Sequence, residues 1–243
     1  DLNWFFNQWF LASGHPQLKV EYAYSDSTKE QIVRVEQTQN LETTPLYYLP
    51  LAIDLYMGDE VVRHEVVIDE GMEEFRFAVT GKPDLVNFDG DRMLLAQIED
   101  NRSIEDHKAL YVLGQKLMDR IDAQAVLLAS SDTALITETV IATLNDEHEY
   151  VRIQALRALD RADSTKALAL KSAVKEMAYN DEESSVRTAA VEIMASVYGE
   201  SDEEFYLSRL NDPSYRVNAA ALNGLSKQNA QLALNQARKL GPD

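Results

Sequence analysis

The chain of 243 residues has no cysteine. That excludes disulfides, thiolate zinc sites and cysteine nucleophiles. Histidine is scarce, with four: His15, His64, His107 and His148. No apolar run reaches the ~20 residues that cross a bilayer, so no membrane-spanning segment is expected. Basic residues are few, 23 against 41 acidic ones, giving a net charge of −18. A nucleic-acid partner is therefore not expected, because phosphates demand a basic footprint. An anionic membrane surface is disfavoured for the same reason. There is no glycine-rich phosphate loop and no G-x-S-x-G nucleophile turn. His64-Glu65 begins like the zinc motif H-E-x-x-H, yet Val67 and Ile68 follow where a second His is needed. That stretch also reads as a strand, and the motif needs a helix to bring its two His to one face.

What is present begins with "DLNWFFNQWFLASGHP". Asp1 is placed to cap a helix, and Gly14 and Pro16 are placed to stop it. Leu2, Phe5, Phe6 and Trp9 follow helical spacing, while Trp4, Phe10 and Leu11 fall outside that stripe. A helix apolar nearly all round expects protein on several sides. It is too short to cross a membrane and lacks the basic flank of a signal peptide. The expectation is a chain that is a fragment, with this helix left from a missing domain and Trp4, Phe5, Phe6, Trp9 and Phe10 forming an interdomain interface.

Residues 14–101 read as β-structure. Leu18, Val20, Tyr22 and Tyr24 alternate with Lys19, Glu21 and Ala23. Ile32 to Gln37 is a second strand. Leu49, Leu51, Ile53 and Leu55 alternate up to a Gly58-Asp59 turn, after which a valine-rich strand returns. Pro50 points to a strand start or an edge. Phe75, Phe77 and Val79 mark another strand, and turns at Gly81–Pro83 and Asp89–Asp91 frame the last two. Short strands joined by short turns predict an antiparallel sandwich. Tyr22, Tyr24, Tyr47 and Tyr48 fit sheet faces better than a sugar platform. Asp89 and Asp91 fit a turn better than a calcium loop, since the later ligands are missing.

From Ser103 the period becomes 3.6. "SIED" has the form of a capping box, with Asp106 in place of Glu. Residues 102–243 then repeat: "LNDEHEYVRIQALRAL", "YNDEESSVRTAAVEIM" and "LNDPSYRVNAAALNGL" share Asn-Asp and a Val five residues later. The aspartates are Asp146, Asp181 and Asp212, so the periods are 181 − 146 = 35 and 212 − 181 = 31. This is the signature of a helix-pair solenoid, and it resembles the HEAT repeat. Arg152 and Arg187 match the repeat's arginine, and Asn218 departs from it. Each Asp is expected to cap the second helix of its repeat, and each Arg to reach acceptors in the next repeat. Ala155, Ala190 and Ala221 would let helices approach closely. His107 reads as a half-buried surface histidine and His148 as part of a solvated turn.

The opening segment resembles the end of the catalytic domain in aminopeptidase N-like zinc metallopeptidases, which carry D-L-x-W-F-F-x-Q-W-x-x-x-x-G-x-P there. Asp1, Leu2, Trp4, Phe5, Phe6, Gln8, Trp9, Gly14 and Pro16 all match. "LKVEY", "VEQTQ", "PLAIDLY" and "KPDLVNFD" (with Val35, Pro50, Lys82, Pro83 and Asp89) resemble the family's sandwich. The likeness is local over residues 1–100 and rests on architecture beyond. It implies a terminal helix of the catalytic domain at 1–13, a β-sandwich at 14–101 and a HEAT-like helical domain at 102–243 covering the active-site cleft. The parent would remove N-terminal residues from peptides with zinc held by H-E-x-x-H and a distant Glu. Those ligands would lie in an upstream catalytic domain joined in cis. No catalytic or metal residue and no cofactor is therefore expected in this chain, and no substrate-binding residue is assigned. Two other readings are a scaffold of the same architecture that has lost its metal, and an independent HEAT-type adaptor.

Overall fold

The computed structural model describes residues 2–240. The expected cap at Asp1 lies outside the described residues. The chain divides into two compact units, Asp1–Ala123 and Gln124–Asp243.

The first unit opens with α1 (Asn3–Phe6), which continues as a π-helical turn over Asn7–Leu11. Seven strands follow: β1 (Gln17–Ser25), β2 (Glu30–Gln37), β3 (Leu49–Met57), β4 (Glu60–Ile68), β5 (Met72–Ala78), β6 (Leu85–Phe88) and β7 (Gln97–Asp100). They form two sheets, ordered β5-β2-β1-β7 and β4-β3-β6. Alternation works as the sequence implies: Leu18 and Val20 of β1 and Val33 and Val35 of β2 meet Leu49, Leu51, Ile53 and Leu55 of β3 in one core. Gly58 turns β3 into β4 with φ +62°, a backbone conformation that costs glycine nothing. Pro50 sits at the start of β3, opposite Val67. One pairing departs from the antiparallel expectation, because β7 lies parallel to β1. The chain reaches β7 from β6 in the other sheet, so no hairpin dictates the direction of β7.

β3 is buried on both faces, since Ala52, Asp54 and Tyr56 are also covered. Tyr56 and Leu85 pack with Leu110 of α2 (Ile104–Leu113) and Ala123 of α3 (Leu117–Leu128). The change from strand to helix thus falls where the sequence puts it, but α2 and the first half of α3 pack with the sheets. α2 starts with the anticipated capping box: Ser103 Oγ accepts from the Asp106 N–H at 3.2 Å, and the Asp106 carboxylate accepts from the Ser103 N–H at 2.9 Å. Under this layer Asp119 is fully buried and accepts from Arg92 Nε at 2.7 Å, the Lys116 N–H at 3.0 Å and Asn87 Nδ2 at 3.3 Å.

Tyr47 is 1% exposed, yet its hydroxyl has no hydrogen-bond partner among the described residues. A buried polar group without a partner is a net cost. Tyr47→Phe is therefore expected to raise stability by about 1 kcal/mol in a denaturant melt. A loss of that size would show that the hydroxyl has a partner in solution.

The second unit continues with α4 (Thr133–Thr143), α5 (Glu149–Arg157), a 3-10 turn (Ala158–Arg161), α6 (Ser164–Ala169), α7 (Lys171–Asn180), α8 (Ser184–Ser196), α9 (Glu203–Arg209), α10 (Tyr215–Gln228) and α11 (Ala230–Leu240). α8 packs between α5 and α10, so the second helices of the three repeats stack side by side. Ala155, Ala190 and Ala221 are fully buried in the resulting core. Gly224 of α10 faces the ring of Tyr206, where an added Cβ would lie 2.2 Å from Cε1.

Candidate functional site

Gln8 and Trp9 anchor the opening helix on the sandwich. The Gln8 amide donates to the Tyr48 carbonyl and accepts from the Tyr48 N–H, both at 2.9 Å. It completes the backbone just before β3 as a neighbouring strand would. The preceding residue is held likewise: Gln37 donates to the Tyr47 carbonyl at 2.8 Å and accepts from its N–H at 3.0 Å. Trp9 is half-buried and packs on the sandwich core, its ring 5.3 Å from that of Tyr47.

The remaining aromatics of α1 turn outward. Trp4, Phe5, Phe6 and Phe10 are 40, 44, 51 and 81% exposed. The ring of Trp4 meets Phe5 at 5.9 Å and Tyr48 at 5.0 Å, and Phe5 meets Phe6 at 5.7 Å. Of the helically spaced Leu2, Phe5, Phe6 and Trp9, Trp9 alone packs on the sandwich core. The helix closes on a π turn, in which the Ala12 N–H bonds to the Asn7 carbonyl five residues back at 3.0 Å. Helical structure also ends at Leu11, and Gly14, with φ +91°, lies beyond it against Thr44. Gln8 was visible in sequence as a match to the aminopeptidase N-like segment, but its bonds to the Tyr48 backbone are visible only in the fold.

In the second unit the repeat residues form a ladder. Arg152 Nε and Nη2 donate to the Asp181 carboxylate at 3.0 and 2.8 Å, and Arg187 does the same to Asp212 at 2.8 and 2.9 Å. Each Arg also reaches back within its own turn: Arg152 Nη1 to the Asp146 and Glu147 carbonyls, Arg187 Nη1 to those of Asp181 and Glu182. Arg187 holds the Asp212 carboxyl below the usual carboxylate range. Asn218 takes the third position: with its amide nitrogen turned inward it donates to the Arg209, Asp212 and Ser214 carbonyls at 3.1, 3.0 and 3.2 Å. It keeps the local bond and projects no charge onward. The expected capping role of the aspartates is corrected. The residues flanking the helix starts are His148, Glu183 and Ser214, two positions after each Asp. Asp146, Asp181 and Asp212 instead accept from the N–H groups of those residues at 2.8 to 2.9 Å, closing the turn before the helix.

His148 lies in such a turn and its Nδ1 accepts from the Tyr150 N–H at 3.2 Å. His64 lies on β4 and stacks on Phe77 at 4.3 Å. His107 is half-buried, and burial lowers its pKa. Asp89 accepts from the Met93 and Leu94 N–H groups, and Asp91 pairs with Arg63, so both serve the turn. Among the described residues, no three His, Asp or Glu side chains gather where they could hold a metal ion. None of the described helices is long and apolar enough to cross a membrane.

A crystal structure of Legionella pneumophila aminopeptidase A in complex with aspartic acid matches 96% of this chain with a TM-score of 0.69 and 15% sequence identity. The fold is aminopeptidase-like. The chain spans 34% of the length of that aminopeptidase. Within the aminopeptidase-like fold, residues 137–226 match the family described as HEAT repeats. That match covers the three-step ladder. No curated protein matches the chain.

Proposed function

We propose that this chain is the noncatalytic C-terminal part of a zinc aminopeptidase of the aminopeptidase N-like, gluzincin type. In this reading the sandwich supports a catalytic domain and the helical unit covers its cleft, limiting which peptides enter. The observation that carries it is the aromatic face of the opening helix. Trp4, Phe5, Phe6 and Phe10 stand exposed on a helix that Gln8 and Trp9 hold in place. A contiguous exposed apolar patch of this kind marks an interaction site. The aminopeptidase neighbour, with about three times the length of chain, supports a larger body on the other side of that face.

Among the described residues no three His, Asp or Glu side chains gather as a zinc site would need, so this reading assigns zinc and the hydrolytic residues to the catalytic domain. The opening segment and the upstream gene can be tested together. An H-E-x-x-H motif followed by a third-ligand Glu, encoded before Asp1, supports the peptidase. Loss of either His favours the scaffold reading of the same architecture. For the isolated chain, no hydrolysis of aminoacyl chromogenic substrates and no stoichiometric zinc after dialysis are expected. Chelator-sensitive hydrolysis would overturn the assignment. Replacing Trp4, Phe5, Phe6 and Phe10 by serine should lower apolar-dye binding and self-association in light scattering, since each buried large side chain contributes about 1.5–3 kcal/mol to association. A chain that is already monomeric and dye-silent would show that this face has no drive to dock.

A further inference from the structure

A cleft of about 300 Å³ opens on the first unit, with Tyr22, Lys82, Pro83, Leu85, Arg102 and Asp106 in its walls. That volume is at the lower end of sites for small organic ligands. Arg102 is nearly buried, with 9% of its side chain exposed. Its Nη2 donates to the Tyr22 hydroxyl at 3.1 Å and to the Val86 carbonyl at 3.0 Å, and its guanidinium lies 5.1 Å from the centre of the Tyr22 ring. The Tyr22 oxygen is therefore an acceptor, and its own proton has no acceptor among the described residues. Burial pushes the Tyr22 phenol well above its usual range, so the proton stays in place at neutral pH. The carboxylates nearby are engaged. Asp100 pairs with Arg102 at 3.2 Å, and Asp106 accepts from the Ser103 N–H and Oγ at 2.9 and 2.7 Å. Lys82 is exposed and feels Asp106 only through its field. One hydroxyl donor and one ammonium thus flank the half-buried side chains of Tyr24 and Val86, which also line the cleft.

We propose that this cleft binds a small organic monocarboxylate, whose carboxylate accepts from the Tyr22 hydroxyl and pairs with Lys82 while its apolar body lies against Tyr24 and Val86. An acidic protein of this composition has few places that attract an anion, and a carboxylate supplies the acceptor that the Tyr22 proton lacks. A hydrogen bond to a charged group contributes more than one between neutral groups, whereas an exposed ammonium contributes little.

The test uses the full chain with benzoate, benzamide and inorganic phosphate as probes, followed by amide NMR shifts. Benzoate should bind saturably, with shifts at Tyr22–Tyr24 and Lys82–Val86. Benzamide keeps the ring without the charge and phosphate keeps the charge without the ring, so both should bind at least about tenfold more weakly. Tyr22→Phe should weaken benzoate about tenfold and Lys82→Gln about two- to fivefold, at unchanged melting temperature. Absence of saturable benzoate binding would overturn the proposal. So would benzoate binding that both variants leave unchanged, or phosphate binding as tight as benzoate. Should Tyr22→Phe lower the melting temperature, Lys82→Gln together with the benzamide comparison decides alone.

Discussion

Asp181→Ala is expected to destabilise the helical unit by about 3–5 kcal/mol, the range for breaking a buried ion pair from one side. Asp181 and Arg152 are 9 and 8% exposed at their side chains, so the pair is well shielded. Without the carboxylate, Arg152 keeps its bonds to the Asp146 and Glu147 carbonyls but loses the acceptor of Nε and Nη2. The Glu183 N–H loses its acceptor as well. A simple helix cap would cost only about 0.5–2 kcal/mol, so the size of the effect separates a ladder rung from a cap. Glu182→Ala and Glu183→Ala are the internal controls. Both residues are exposed and bond Arg187 and Asp181 through backbone atoms, so changes within about 0.5 kcal/mol are expected. Urea melts of the three variants decide. Equal losses in all three would remove the rung as the link between repeats.

Asp119→Ala should cost the first unit about 3 kcal/mol or more, although nothing in its sequence neighbourhood singles it out. Asp119 is fully buried and receives three donors, one of them a guanidinium. Arg92 would retain Asp122 at 2.9 Å, but that carboxylate is 46% exposed and a poor substitute. Asp119→Asn preserves shape and one acceptor, so it should fall between wild type and Ala. The measurement is the unfolding transition of the first unit, followed by near-UV signals from Trp4 and Trp9, which both lie in it. An Ala variant as stable as wild type would mean that the layer under α2 and α3 is held by apolar contacts alone.

Local chemistry made much of this protein legible from sequence. The switch of period at Ser103, the Gly58-Asp59 hairpin, the capping box and the three Asn-Asp repeats depend on residues a few positions apart. Strand alternation and helical spacing are consequences of backbone geometry, so they can be read without knowing what packs opposite. The Arg-to-Asp rungs were partly visible, because a repeat that recurs in sequence must meet its neighbour in the same way each time. Asn218 was visible only as a departure. Its role required seeing three carbonyls converge on one amide.

What tertiary structure decided has a common character, since each case joins residues far apart in the chain whose meeting no local pattern specifies. β7 runs parallel to β1 because the chain returns to that sheet from the other one, 80 positions after Gln17 pairs with Gln97 (97 − 17 = 80). α2 and the start of α3 pack with the sandwich because Tyr56 and Leu85 offer them an apolar face. Gln8 is an anchor because the backbone at Tyr48 is otherwise unpaired on that side. The sequence determined that the opening helix carries more aromatic surface than one neighbour can bury. Only the tertiary structure decided that Trp9 goes to the sandwich while Trp4, Phe5, Phe6 and Phe10 stand exposed, because the paired Gln8–Tyr48 bonds settle which side of the helix meets the sheet.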